Sequence, residues 1–162
     1  FVMALAQLRT MNAPLSCLML ASLLLGPAFG VDRFKEFTDN HTYNNRNRAF
    51  DCTSEMNRKQ ARQTYCRSCS SVILGNPPTD VTPINNVINI CRGEGTFVRD
   101  NMYRSNINFR TVVCRLQTPR ATPGHCIYSA TPKTGRITVG CSQGNPVHFD
   151  ACSLFKRLFN SF

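Results

Sequence analysis

The chain has 162 residues, a formal net charge of +10, and no internal repeat or low-complexity linker. That leaves room for one domain with a modest core and excludes a repeat array. Past residue 30 the charge is carried mostly by arginine, with 14 Arg to 4 Lys, and these 18 cations oppose 9 carboxylates to leave +9. A guanidinium offers phosphate a planar fork of donors, so the expected partners are polyanions: RNA, heparin-like glycans or an anionic membrane surface. Charge alone does not choose among them.

In chain order, residues 1–10 read as an upstream segment outside the domain. Met11 opens a stretch whose apolar run Leu15–Leu25 is short for a bilayer crossing. Gly26-Pro27-Ala28-Phe29-Gly30 follows, with small residues at the two positions a signal peptidase inspects. Residues 11–30 are therefore expected to be a signal peptide and residues 31–162 a single secreted domain. Asp32 to about Thr42 predicts a short helix that puts Phe34, Phe37 and His41 on one face. Ser54–Gln63 is rich in helix formers, with Thr53 or Ser54 as its cap. Pro77-Pro78 breaks whatever precedes it, and Thr82–Ile88 predicts a third short helix. Strands are then expected over 108–114, 126–130, 136–141 and 146–149, separated by Gly/Pro breaks at 118–124, 132–135 and 144–146. Helices first and antiparallel strands afterwards make an α+β pattern.

With Cys17 set aside in the signal, eight cysteines remain, at 52, 66, 69, 91, 114, 126, 141 and 152. An even number in a small exported chain implies a disulfide framework, and on the order of a hundred full pairings are open to it. Cys66-Arg67-Ser68-Cys69 has the spacing of a redox pair but no surrounding βαβ pattern. The other cysteines are singletons without the paired spacing of a zinc site. No metal and no cofactor are expected.

Two local words and one set of intervals then carry a resemblance. Phe37-Thr38-Asp39-Asn40-His41 resembles the N-terminal Phe-x-x-Gln-His helix of the pancreatic ribonuclease superfamily, with Asn40 in place of Gln. Asn145-Pro146-Val147-His148-Phe149-Asp150 is similar to that family's C-terminal strand, and Cys52, Cys66, Cys91, Cys114, Cys126 and Cys141 fall at close to its intervals. The resemblance spans Arg33–Arg157 and points especially to the angiogenin-like and fish-type branch. It implies a disulfide-stapled, ribonuclease A-like α+β fold, with short N-terminal helices packed on a curved antiparallel β-sheet. The implied bridges are Cys52–Cys114, Cys66–Cys126 and Cys91–Cys141. Cys69 and Cys152 have no family partner, but they fall on segments that flank the same groove in the family fold. A fourth bridge between them would staple or partly occlude the base pocket, and free thiols or an intermolecular link are the alternatives.

The implied activity is secreted endonucleolytic cleavage of single-stranded RNA after pyrimidines through a 2′,3′-cyclic phosphate. Attack of a ribose 2′-hydroxyl on phosphorus needs a base for the hydroxyl proton and an acid for the leaving 5′-oxygen, and imidazoles titrate in the right range. By the resemblance His41 is the base and His148 the acid. Arg67 takes the position of the family's lysine as the cation that offsets charge on the phosphoryl oxygens. Ser71 replaces the pocket threonine and Val72 a phenylalanine, while Asn40 is a supporting residue. Phe149 is expected to stack on a base and Asp150 to orient His148. Cys91-Arg92-Gly93-Glu94-Gly95-Thr96-Phe97 looks like the lysine motif, but adopting it would leave the later cysteine intervals wrong. The altered cation and pocket predict low activity. They also sustain an alternative, a catalytically weak host-defence or angiogenin-like protein that acts by binding anionic membranes, glycans or cell surfaces. A ribonuclease inhibitor is a further expected partner, and the chain is expected to be a monomer. His125 matches no motif, and the sequon Asn40-His41-Thr42 reads as coincidence. Leu154–Phe159 is expected to pack at the domain edge.

Overall fold

The computed structural model describes residues 32–149 and Cys152; the expected signal peptide, Asp150 and the run 154–159 lie outside the described residues. Helix α1, Arg33–His41, starts where Asp32 accepts from the backbone N–H groups of Phe34 and Lys35, each at 3.1 Å, and an exposed Lys35–Asp39 pair spans one turn of it. Its apolar face buries Phe37, and the chain leaves the helix extended at Thr42. Helix α2, Cys52–Lys59, begins earlier than the helix formers suggest. Its cap is Asp51, which accepts from Ser54 N at 2.8 Å, rather than Thr53 or Ser54. Burial of bridged Cys52 draws that residue into the helix, and the Thr53 hydroxyl accepts from Tyr128 N at 3.0 Å instead. The helix also stops short of Gln63, because Gln60 is wholly buried and its side-chain amide donates back to the Met56 carbonyl at 2.9 Å. Helix α3, Ile84–Asn89, follows Pro83 and runs on into a wide turn, Ile90–Glu94, that Gly93 completes at a φ of 110°.

The seven strands are β1 Cys69–Leu74, β2 Gly95–Arg99, β3 Met102–Ser105, β4 Phe109–Leu116, β5 Tyr128–Gly135, β6 Thr138–Ser142 and β7 Asn145–His148. They are all antiparallel but divide into two sheets, ordered β1-β4-β5 and β2-β3-β6-β7. The fold is therefore α+β with its β structure in two sheets. The expected break at 132–135 is instead part of β5, where Pro132 lies opposite Val112. β5 is an edge strand, and an edge can hold a proline that has no N–H to give.

Two apolar clusters hold these elements together. Tyr43, Met56, Val72, Leu74, Val112 and Tyr128 gather between α2 and the first sheet. Phe37, Ile73, Val87, Phe109, Val139 and Phe149 gather between α1, α3 and the second sheet. Strand alternation lets β1 serve both, sending Val72 and Leu74 to one cluster and Ile73 to the other. Each such side chain, fully removed from water, contributes roughly 1.5–3 kcal/mol. Four disulfides cross-link the layers: Cys52–Cys114, Cys66–Cys126, Cys91–Cys141 and Cys69–Cys152, with Cα separations of 5.6, 6.0, 5.6 and 6.2 Å.

Candidate active site

His41 closes the last turn of α1, four residues beyond Phe37, whose ring lies 5.4 Å away and tilted. Phe149 packs on the imidazole in a T-shaped contact at 5.6 Å. The Nδ1 atom lies 2.8 Å from the Ser71 carbonyl of β1. A carbonyl only accepts, so Nδ1 carries the proton and the neutral ring keeps its lone pair on Nε2. Burial among these rings disfavours the charged form and lowers the pKa from 6.5 to about 4. The Ser71 carbonyl opposes that shift, while the charges of Lys59, His148 and Arg67 reinforce it.

His148 ends β7 on the exposed side and pairs with Gly140 of β6. A Cβ on Gly140 would lie 3.0 Å from that of His148 and 3.3 Å from Met102 Sδ, so a larger residue there would press on the His148 side chain. The turn before β7 is braced by Arg92, which donates to the Gly144 carbonyl at 3.0 Å and to Asn145 Oδ1 at 3.1 Å. Arg92 is thus occupied in holding the strand that carries His148.

Arg67 is fixed from three sides. Its backbone N–H donates to Gln60 Oε1 at 2.5 Å, its carbonyl accepts from the Tyr128 hydroxyl at 2.7 Å, and its guanidinium donates to Asn40 Oδ1 at 2.9 Å. Asn40 is the residue before His41, so guanidinium and imidazole are tied to the same helical turn. Ser71 is buried, and its hydroxyl lies 3.6 Å from Cys152 Sγ, at the Cys69–Cys152 bridge. Phe149 is 5% exposed and packs in the second apolar cluster against His41, so its faces are not open to solvent. Asp150 lies outside the described residues. His125 sits in the exposed loop before Cys126, apart from these contacts.

Three residues of the site escaped the sequence. Gln60 and Tyr128 hold the Arg67 backbone, and Tyr128 also accepts from Gln60 Nε2 at 2.9 Å. Lys59 donates to the Thr42 carbonyl at 2.8 Å, one residue past His41. Inside a run of helix formers Lys59 and Gln60 carry no local signal, and the scarcity of lysine in this arginine-rich chain is the only hint of Lys59. Beside the site a groove of about 410 Å³ runs between α1 and α2, walled in part by Asn40, Thr42, Arg58, Lys59 and Arg62. The described residues hold no group of three or more His, Cys, Asp or Glu placed to share a metal ion. The arrangement thus offers a neutral imidazole with a free Nε2, a second, exposed imidazole and an oriented guanidinium, which suits proton transfer beside an anion.

Comparison with known proteins fits this chemistry. Residues 32–150 match the family described as pancreatic ribonuclease. The chain is 29% identical to the pancreatic ribonuclease of Iguana iguana over 99 residues, covering 61% of this chain and 76% of the relative. It is 31% identical to the angiogenin of Chlorocebus aethiops over 144 residues, covering 85% and 91%. Among solved structures, zebrafish RNase5 superposes with a TM-score of 0.58 at 25% identity, covering 74% of this chain and 93% of that one.

Proposed function

Because the chain belongs to the pancreatic ribonuclease family, we propose that it is a secreted endoribonuclease that cleaves single-stranded RNA after pyrimidines. The observation that carries the reading is the clamp of His41 Nδ1 on the Ser71 carbonyl, which leaves Nε2 as a lone-pair donor. In this reading Nε2 takes the proton of the ribose 2′-hydroxyl as that oxygen bonds to phosphorus. His148 gives a proton to the departing 5′-oxygen, and the product is a 2′,3′-cyclic phosphate. The two imidazoles exchange roles when water opens the ring. Arg67, oriented by Asn40, offsets the charge that grows on the non-bridging oxygens. Asp150 is the proposed partner that orients His148. An imidazole that protonates near pH 4 is a weaker base than one matched to neutral pH, which supports a low rate. The test is turnover of a pyrimidine-containing RNA by the purified protein beside His41→Ala and His148→Ala. Both substitutions should abolish turnover, and equal rates in all three would sink the proposal. Arg67→Lys should raise the rate, since a compact ammonium meets one oxygen better than a planar fork does.

The buried Ser71 hydroxyl and the closed faces of Phe149 favour a second reading, a cationic protein that acts by binding anionic surfaces. Under it, His41→Ala and His148→Ala would keep the wild-type affinity for heparin and for anionic vesicles together with any biological effect.

A further inference from the structure

The side chain of Lys59 is 7% exposed and that of its carboxylate partner Glu55 is 8% exposed, with 3.6 Å between them. Buried lysines are rare and are held by specific partners. Glu55 is already engaged by Arg58, which reaches it with Nη2 at 2.5 Å and Nε at 3.0 Å. Two cations therefore share one carboxylate, and the cluster retains a net positive charge. That charge is aimed at α1, because Lys59 Nζ donates to the Thr42 carbonyl at 2.8 Å. The C-terminal end of a helix carries unpaired carbonyls and a partial negative charge, which a cation from a neighbouring element satisfies. His41 is the last residue of that helix. We propose that Lys59 is a positioning residue for His41: its buried ammonium, anchored on the Thr42 carbonyl at the end of the helix that carries the imidazole, places a positive charge there that adds to burial in favouring the neutral ring, the form that accepts a proton.

The charges of His148 and Arg67 act on His41 in the same direction but more weakly. Arg67 is turned toward Asn40, His148 stands on the exposed end of β7, and Asp39 is paired with Lys35 on the solvent side of α1. Tyr43 is a buried hydroxyl that donates to the Arg48 carbonyl. Lys59 is the charge with the largest effect on His41, and burial pulls its own pKa down to about 8.

The inference rests on His41 being a base, so its test has an arm that needs no catalysis. In Lys59→Met the His41 imidazole, followed by NMR titration, should protonate about 0.5–1 unit higher than in the wild type. Lys59→Arg should return it close to the wild-type value. In turnover of a pyrimidine-containing RNA, Lys59→Met should move the acid limb of kcat up by the same interval, so that the rate at pH 4.5 relative to that at pH 7 falls about 1.5- to threefold, while the more basic imidazole raises kcat at pH 7. A residue that merely supports the helix would lower the rate equally at both pH values. The folded wild type gives a further readout if Lys59→Met does not fold. Its His41 resonance should show a second inflection near pH 8, where Lys59 loses its proton, and that inflection should be absent from Lys59→Arg. An unchanged His41 titration in folded Lys59→Met, or a wild-type resonance that stays flat between pH 6 and 10, overturns the proposal. Absence of turnover in the wild type would count against the ribonuclease reading and leave the NMR arm decisive.

Discussion

The clearest quantitative consequence of the site is that burying His41 makes the fold sensitive to acid. In the unfolded chain the imidazole titrates near its ordinary 6.5, and in the folded protein near 4. Above pH 6.5 both states hold a neutral ring and the difference costs nothing. As pH falls from 6.5 toward 4 the unfolded state takes up a proton that the folded state refuses, so stability is lost across that window, at a slope approaching ~1.2 kcal/mol per pH unit. At pH 4.5 the accumulated penalty is about 2.5 kcal/mol, and below pH 4 it levels off at about 3.4 kcal/mol. The perturbation is His41→Asn, a substitution that cannot titrate. Urea unfolding with disulfides intact, at pH 7 and at pH 4.5, gives the stability of both proteins. Carboxylates held low by native hydrogen bonds, such as Asp51 and Asp80, contribute to both and cancel in the comparison. The wild type should lose about 2–2.5 kcal/mol more than His41→Asn between the two pH values. Equal losses would show that the ring is solvated in the native state and would refute the account of its environment.

Three further outcomes can be checked by thermal or urea unfolding and by turnover. Ile73→Ala, at a position with 0% exposure, should cost about 3 kcal/mol and lower the unfolding midpoint accordingly. Asp51→Ala removes the N-cap acceptor of α2 and should cost about 1 kcal/mol, whereas Ser54→Ala should leave the cap in place. Replacing Cys69 and Cys152 together by alanine frees a span of 83 residues and should cost about 2–4 kcal/mol. The same double variant should lower KM for a pyrimidine-containing RNA by uncovering the Ser71 hydroxyl, and an unchanged KM would show that the bridge does not restrict the pocket.

The parts of the fold legible in the sequence were those with a local signature. The spacing of Phe37 and His41 behind Asp32 marks α1 to within a residue, and the aromatic and β-branched run at 109–114 marks β4. β2 and β3 went unread because β2 is exposed from Thr96 to Arg99 and lies at an edge, so it shows no apolar alternation. β1 begins with polar serines that are nonetheless buried, which hides it from a hydrophobicity reading. The end of β5 was hidden by Pro132, Lys133, Thr134 and Gly135, a turn-like composition that edge pairing overrides. In the candidate site, His41, His148 and Arg67 could be nominated from sequence because words and cysteine intervals mark them. Lys59, Gln60 and Tyr128 could not, because each acts through a partner that only tertiary structure brings near. Gln60 and Tyr128, 68 residues apart, meet through hydrogen bonds between the Gln60 amide and the Tyr128 hydroxyl.

β1 has a consequence for how the molecule comes apart. Because Val72 and Leu74 are sealed into one apolar cluster and Ile73 into the other, neither sheet has a core that is wholly its own. Loosening one exposes a strand on which the other depends, and the Ser71 carbonyl that orients His41 belongs to that strand. The proposed base is therefore fastened to the last part of the molecule able to open independently, and it stays oriented until both layers melt as one cooperative unit.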